Sequence, residues 1–205
     1  YMGRVALYEG TYARYVSSDE GRAVALLQIA AEASAKIIGS NSFTLTPVYK
    51  DLYSSLDLSG NPEVLLYKSY VSGILTHSVV GYTNSSTMMS GLTRDAVDSF
   101  LCSDGLPVSL SEMYEGDGTI SQTLANRDLR LVQSVEGELA YIGNPNSKGF
   151  TSSTGYIITK FNNPGLAASE VLAPNNPTDA PIFWLAEVLL NYAEASAELG
   201  VLTQA

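Results

Sequence analysis

Asp179-Ala180-Pro181-Ile182-Phe183-Trp184-Leu185-Ala186-Glu187-Val188-Leu189-Leu190-Asn191-Tyr192-Ala193-Glu194-Ala195 is the most regular tract of this 205-residue chain. Leu185, Val188, Leu189, Tyr192, Ser196 and Leu199 recur at three- and four-residue steps, which places them on one face of an amphipathic helix. Asp179 stands near the N-cap, Pro181 falls in the first turn, and Gly200 ends the segment. Glu187, Glu194 and Glu198 share the opposite face, which reads as a solvated one.

Two more helices are expected at the other end of the chain. Between Met2 and Val16, the residues Val5, Tyr8, Tyr12 and Tyr15 repeat at helical spacing. Ser18 and Asp19 are N-cap candidates for a second segment, with Leu26, Ala30, Ala33 and Ile37 on its stripe and Lys36 and Gly39 closing it. Ala23, Ala25, Ala30, Ala31, Ala33 and Ala35 make a face that allows close helix approach, as in stacked helix-pair repeats. Tyr8, Tyr12, Tyr192 and Trp184 read as core residues.

The middle is irregular. Pro47 to Leu56 forms a short amphipathic turn, and Glu63 to Tyr70 reads as a buried strand. Gly73 to Gly91 shows neither period and reads as a surface loop. Thr93 to Leu101 suggests a short helix, followed by an Asp104-Gly105 turn. Leu129–Val135, Leu139–Ile142 and Tyr156–Phe161 are strand candidates, two of them joined around Gly137. One structural unit is expected over residues 1–205: a helix pair at 1–58, an irregular binding region at 59–178 and a helix at 179–205. Both ends read as cut from a longer protein.

Composition narrows the function. Lys and Arg total 11 against 21 Asp and Glu, and the net charge of −10 repels nucleic acid and anionic lipid alike. Apolar runs are a few residues long, far below the roughly 20 that a spanning helix needs. Cys102 is the one cysteine and reads as a small packing residue, and His77 is the one histidine and reads as a solvated loop residue. Zinc catalysis and a Ser-His-Asp triad are therefore unsupported, and no phosphate-binding glycine loop occurs. Glu115-Gly116-Asp117-Gly118-Thr119 lacks the alternating ligands of a calcium loop and reads as an exposed acidic turn. No cofactor, metal or catalytic residue is assigned.

Binding asks for less: aromatic platforms and amide or hydroxyl partners. Tyr82 with Asn84, Tyr114, and Tyr141 with Asn144 lie in Gly- or Asn-rich surroundings typical of loops and are the candidate ligand contacts, with packing as the alternative reading of each ring.

Arg4-Val5-Ala6-Leu7-Tyr8-Glu9-Gly10-Thr11-Tyr12, then Asn126-Arg127-Asp128-Leu129-Arg130-Leu131, then the opening tract, resemble the SusD/RagB family in order and spacing. Weaker matches lie between them, including Glu63-Val64-Leu65 and Asp98-Ser99-Phe100-Leu101. The resemblance spans nearly the whole chain. It implies a mainly α fold, a SusD-like superhelix of tetratricopeptide-like helix pairs with a loop-rich ligand-binding half and a few short strands. It also implies a surface lipoprotein of the outer membrane, anchored by an N-terminal lipid outside this chain, that binds glycans or other large nutrients without catalysis. Its partner would be a SusC-type TonB-dependent transporter. Two positions depart from the family pattern: Leu129 where Pro is usual, and Trp184 where Arg is usual before Leu-Ala-Glu, which leaves open the carboxylate that such an Arg would pair with. The rival expectations are an all-helical glycoside hydrolase or lyase and a helical-repeat protein-interaction scaffold.

Overall fold

The computed structural model describes residues 1–83, 90–135, 152–163, 165–171 and 174–201. In chain order these form α1 (Met2–Tyr15), α2 (Glu20–Gly39), α3 (Asp51–Ser54), β1 (Val64–Lys68), α4 (Val79–Thr83), α5 (Arg94–Asp98), α6 (Ile120–Leu124), α7 (Leu129–Val132), α8 (Ala168–Val171), β2 (Ala180–Trp184) and α9 (Leu185–Glu198). The mainly α expectation holds. None of these helices is long and apolar enough to cross a membrane. The chain divides into two compact units, residues 1–47, 58–68 and 181–205 in one, and 48–57 and 69–180 in the other.

In the first unit α1, α2 and α9 pack together around Ala6, Leu7, Leu27, Ala30 and Ala195. The Asp19 carboxylate caps α2 by accepting from the Arg22 N–H at 3.0 Å, as the sequence suggested. Two expectations are corrected on α1. Its buried face is Ala6, Leu7, Gly10 and Ala13, while Tyr8, Tyr12 and Tyr15 point outward, Tyr8 at 65% exposure. The reason is distance: a Cβ on Gly10 would stand 2.9 Å from Leu27 Cγ and 3.2 Å from the Leu27 nitrogen. Backbones this close leave no room for rings, so the small residues take the interface and the tyrosines the surface. Tyr192 is likewise 40% exposed.

The opening tract also divides differently. Ala180–Trp184 is a strand paired with β1, and the helix begins at Leu185, whose N–H donates to the Glu63 carbonyl at 2.9 Å. Pro181 thus belongs to a strand rather than a first turn. β1 is partly exposed along its length rather than buried. Gly200, at φ +70°, ends α9 as expected.

Glu187 and Glu198 are not on a free solvated face. Glu187 pairs with Arg4 of α1. The Arg4 guanidinium lies 4.1 Å from the Phe183 ring centre and donates to the Ile182 carbonyl at 2.7 Å. Arg14 bridges Glu20 at 2.6 Å and Glu198 at 2.8 Å, linking three helices. Arg14, and then the Tyr15 hydroxyl, hold Glu198 below the ordinary carboxylate range.

The second unit is built from short helices and isolated bridges around Val97, Ile120, Leu131 and Val135. Residues 126–131 tie it together. Arg127, 3% exposed, donates to the carbonyls of Val97, Phe100 and Thr123 at 2.7, 2.8 and 3.1 Å, which satisfies acceptors near the ends of α5 and α6. Asp128 caps α7 by accepting from the Arg130 N–H at 2.8 Å. Leu129–Val132 is therefore helix and not strand, because a capped start and a buried Leu131 suit a single turn. Among the described residues Tyr156–Phe161 makes the Val135↔Ile158 bridge rather than a strand, and the Gly73 to Gly91 stretch, over its described residues up to 83, holds bridged turns and α4 rather than a plain loop. Leu139–Ile142 and the turn at Gly137 lie outside the described residues. Cys102 is buried, as expected.

His77 is half-buried and not a solvated loop residue. Its backbone pairs with Asn176, N–H to carbonyl at 2.9 Å and the reverse at 3.2 Å. Its Nε2 lies 3.0 Å from the Thr178 carbonyl, so the proton sits there, and Nδ1 accepts from the Val79 N–H at 3.3 Å. Burial pulls the imidazole below its ordinary value, an effect that the Thr178 bond only partly offsets.

Three outcomes follow from these contacts. Gly10→Val should lower the urea unfolding free energy by about 1–3 kcal/mol through overpacking, whereas Gly39→Ala, with open space around its Cβ, should be neutral or mildly stabilising. Leu129→Pro should stabilise by about 0.4–1 kcal/mol: Leu129 opens α7, its N–H is one that the helix leaves unpaired, and Asp128 already has the extended backbone (φ −48°, ψ 129°) that precedes proline. Because the unfolded chain protonates His77 first, stability should be full above about pH 7 and fall as pH drops through about 6.5 toward the lower folded value. Thermal midpoints across this range should flatten in His77→Gln.

Candidate ligand-binding site

A row of half-buried rings runs through the second unit. Tyr49 and Tyr53 meet edge to face at 5.3 Å, Tyr53 meets Phe161 at 6.1 Å, Phe161 meets His77 at 5.3 Å, and His77 meets Tyr70 at 4.7 Å. The Lys160 ammonium lies over Tyr53 at 3.9 Å and Tyr49 at 5.2 Å, a cation on ring faces at one end of the row. Phe161 holds a left-handed backbone, φ 64°, which costs a bulky residue about 1–3 kcal/mol. Its neighbours enforce it. The Phe161 N–H donates to the Tyr53 carbonyl at 2.7 Å, and its carbonyl accepts from Asn176 Nδ2 at 3.0 Å. Asn176 is fully buried, with Oδ1 accepting from the Thr178 N–H at 2.9 Å.

At the Tyr70–His77 end the His77↔Asn176 bridge joins two segments that then diverge. One is the turn of Ser72, Gly73, Ile74 and Thr76, closed by the Val71–Leu75 bonds at 2.8 and 2.9 Å, with Gly73 at φ +72°. The other carries Ala167, Ser169, Glu170 and Asn175. Between them lies a cleft of about 560 Å³, within the roughly 300–1,000 Å³ of small-ligand pockets. The Ser72 hydroxyl donates to Glu170 across it, and Asn175 Nδ2 donates to the Ser169 carbonyl at 3.2 Å. Hydroxyls, an amide and a carboxylate thus face one space beside an aromatic row, an arrangement able to hold a polyhydroxylated ligand.

The residues singled out in the sequence stand elsewhere. Tyr82 is 62% exposed on α4. Tyr114 is half-buried with its hydroxyl enclosed, and the Arg127 guanidinium lies 5.6 Å from its ring centre. Burial raises the Tyr114 hydroxyl above its ordinary value, with Arg94 opposing. Asn84, Tyr141 and Asn144 lie outside the described residues. The cleft residues escaped sequence reading because Ser72 and Glu170 are far apart in the chain and neither sits in a motif. Asp117 of the acidic turn pairs with Arg94, and among the described residues no group of three or more His, Cys, Asp or Glu is gathered as for a metal.

A search of curated proteins finds no match to this chain. Among solved structures, its fold is similar to a SusD-like carbohydrate binding protein from Bacteroides fragilis NCTC 9343, with a TM-score of 0.73 at 19% identity. It is also similar to SusD superfamily proteins from Parabacteroides distasonis ATCC 8503 and from Bacteroides fragilis NCTC 9343, with TM-scores of 0.58 and 0.54, each at 17% identity. In all three cases 97% of this chain is covered but only 39% of the other, so the chain spans about two fifths of their length. The sequence model of the SusD family matches residues 67–205, and with most of its length inside that match the chain belongs to the SusD family.

Proposed function

We propose that this chain is part of a cell-surface protein that captures glycans or other large nutrients without chemically altering them and delivers them to a SusC-type TonB-dependent transporter. The whole protein would be held at the outer membrane by an N-terminal lipid. The observation that carries this reading is the cleft of hydroxyl, amide and carboxylate groups beside the aromatic row, in a chain of the SusD family. Support comes also from the structurally similar SusD-like carbohydrate binding protein of Bacteroides fragilis. Tyr82, Asn84, Tyr114, Tyr141 and Asn144 are proposed as further contacts, with Tyr82 the most exposed of those described. The outward stripe of Tyr8, Tyr12 and Tyr15 favours a second reading, a helical scaffold whose partner is another protein.

Calorimetry against a panel of soluble polysaccharides, run beside a reducing-sugar assay, tests the proposal. Capture predicts binding with no new reducing ends. Asn175→Ala should weaken binding by about three- to tenfold, the effect of one neutral hydrogen bond, and Tyr82→Ala should weaken it if that ring extends the site. Accumulating reducing ends would make the protein a hydrolase and end the capture reading; silence across the panel would mean a nutrient other than these glycans or favour the scaffold.

A further inference from the structure

Resting on the capture reading, we propose that the cleft between the turn at residues 72–76 and the residues Ala167, Ser169, Glu170 and Asn175 selects uncharged saccharides, with Glu170 accepting hydrogen bonds from ligand hydroxyls, and rejects uronate or sulfated ones. Among the described residues Glu170 is the one charged side chain that lines the cleft; its companions are Ser72, Thr76, Ser169 and Asn175. Ser72 engages one Glu170 oxygen. An ionised carboxylate offers roughly four acceptor sites, so it can also take donors from a ligand. Hydroxyl donors on adjacent sugar carbons suit such an acceptor, and charge-assisted bonds are stronger than neutral ones. A ligand carboxylate or sulfate placed there would face a like charge in a partly desolvated space.

The arginines of the molecule offer an anion little compensation. The net charge is −10, and its arginines are already engaged. Arg94 is held by Asp98 at 2.7 Å and by Asp117, and Arg130 by Asp128 at 2.5 Å. Arg127 is buried against backbone carbonyls. Lys160 lies over Tyr49 and Tyr53, the end of the aromatic row away from His77 and the cleft. An anionic chain therefore meets a net-acidic protein on approach and the Glu170 carboxylate on arrival.

Calorimetry with dextran, galactan, mannan and xylan, each beside a carboxylated or sulfated form of the same backbone, tests this at low salt. For any backbone that binds, the charged form should bind about tenfold or more weakly, and Glu170→Gln should both weaken the neutral ligand and narrow the gap. Thermal unfolding of Glu170→Gln establishes that the variant is folded. Equal or tighter binding of a charged form overturns the selection while leaving capture intact, as does a Glu170→Gln protein that binds the neutral ligand unchanged. Failure of every glycan, neutral and charged, overturns glycan capture together with the inference.

Discussion

The Arg127 guanidinium, almost wholly removed from water, donates to carbonyls at Val97, Phe100 and Thr123. A buried cation is tolerable when several of its donors are used, as both terminal nitrogens are here while Nε finds no partner among the described residues, and a planar guanidinium can reach several acceptors at once where an ammonium would have to choose. This contact gathers the ends of α5 and α6 against the start of α7, and the Cys102↔Arg127 bridge holds the adjoining backbone. The core residues Val97, Ile120 and Leu131 lie on these three turns. None of the turns is long enough to be stable alone, so an irregular region rich in short elements depends on a polar contact to define which of them pack together.

The same use of arginine recurs through the chain. Arg4 and Arg14 fasten α1 to α9, Arg22 joins Glu9 at 2.6 Å between α2 and α1, and Arg94 and Arg130 hold acidic side chains in the second unit. Exposed pairs of this kind contribute little each to stability. Their larger effect is on what remains: an acidic protein whose planar, bidentate cations are committed to its own structure has few left to recognise a carboxylate or sulfate. Fold and ligand preference are coupled through this allocation.

Sequence reading succeeded where the signal is local. The α1 and α2 segments, the Asp19 cap, the stop at Gly200 and the turn at Asp104-Gly105 each follow from a residue's own conformational or hydrogen-bonding bias. It failed where tertiary distance overrides a local pattern. Tyr8 and Tyr12 recur at helical spacing, yet the opposite face is buried because Gly10 admits Leu27 so closely. Pro181 fits a helix start, but Ile182, Phe183 and Trp184 are β-prone residues with β1 available as a partner. Leu129–Val135 has the composition of a strand, and the Asp128 cap turns its first part into helix. In each case the deciding group lies elsewhere on the molecule or on the other face of the element.

The candidate cleft was illegible for a stricter reason. Ser72 and Glu170 belong to segments nearly a hundred residues apart, joined through His77 and Asn176. Nothing in Ser72-Gly73-Ile74 or Ala168-Ser169-Glu170 marks either as a wall of one space. His77 carried the only available signal, as the sole imidazole in the chain, and its Thr-His-Ser setting reads as solvated because Phe161, one of the rings that meet it, lies far along the chain. Asn176 links the strained Phe161 backbone to the His77 bridge through one buried side chain. Asn176 thus bonds both the Phe161 backbone of the aromatic row and the His77 backbone from which the cleft walls diverge, so disturbance at one should be felt at the other.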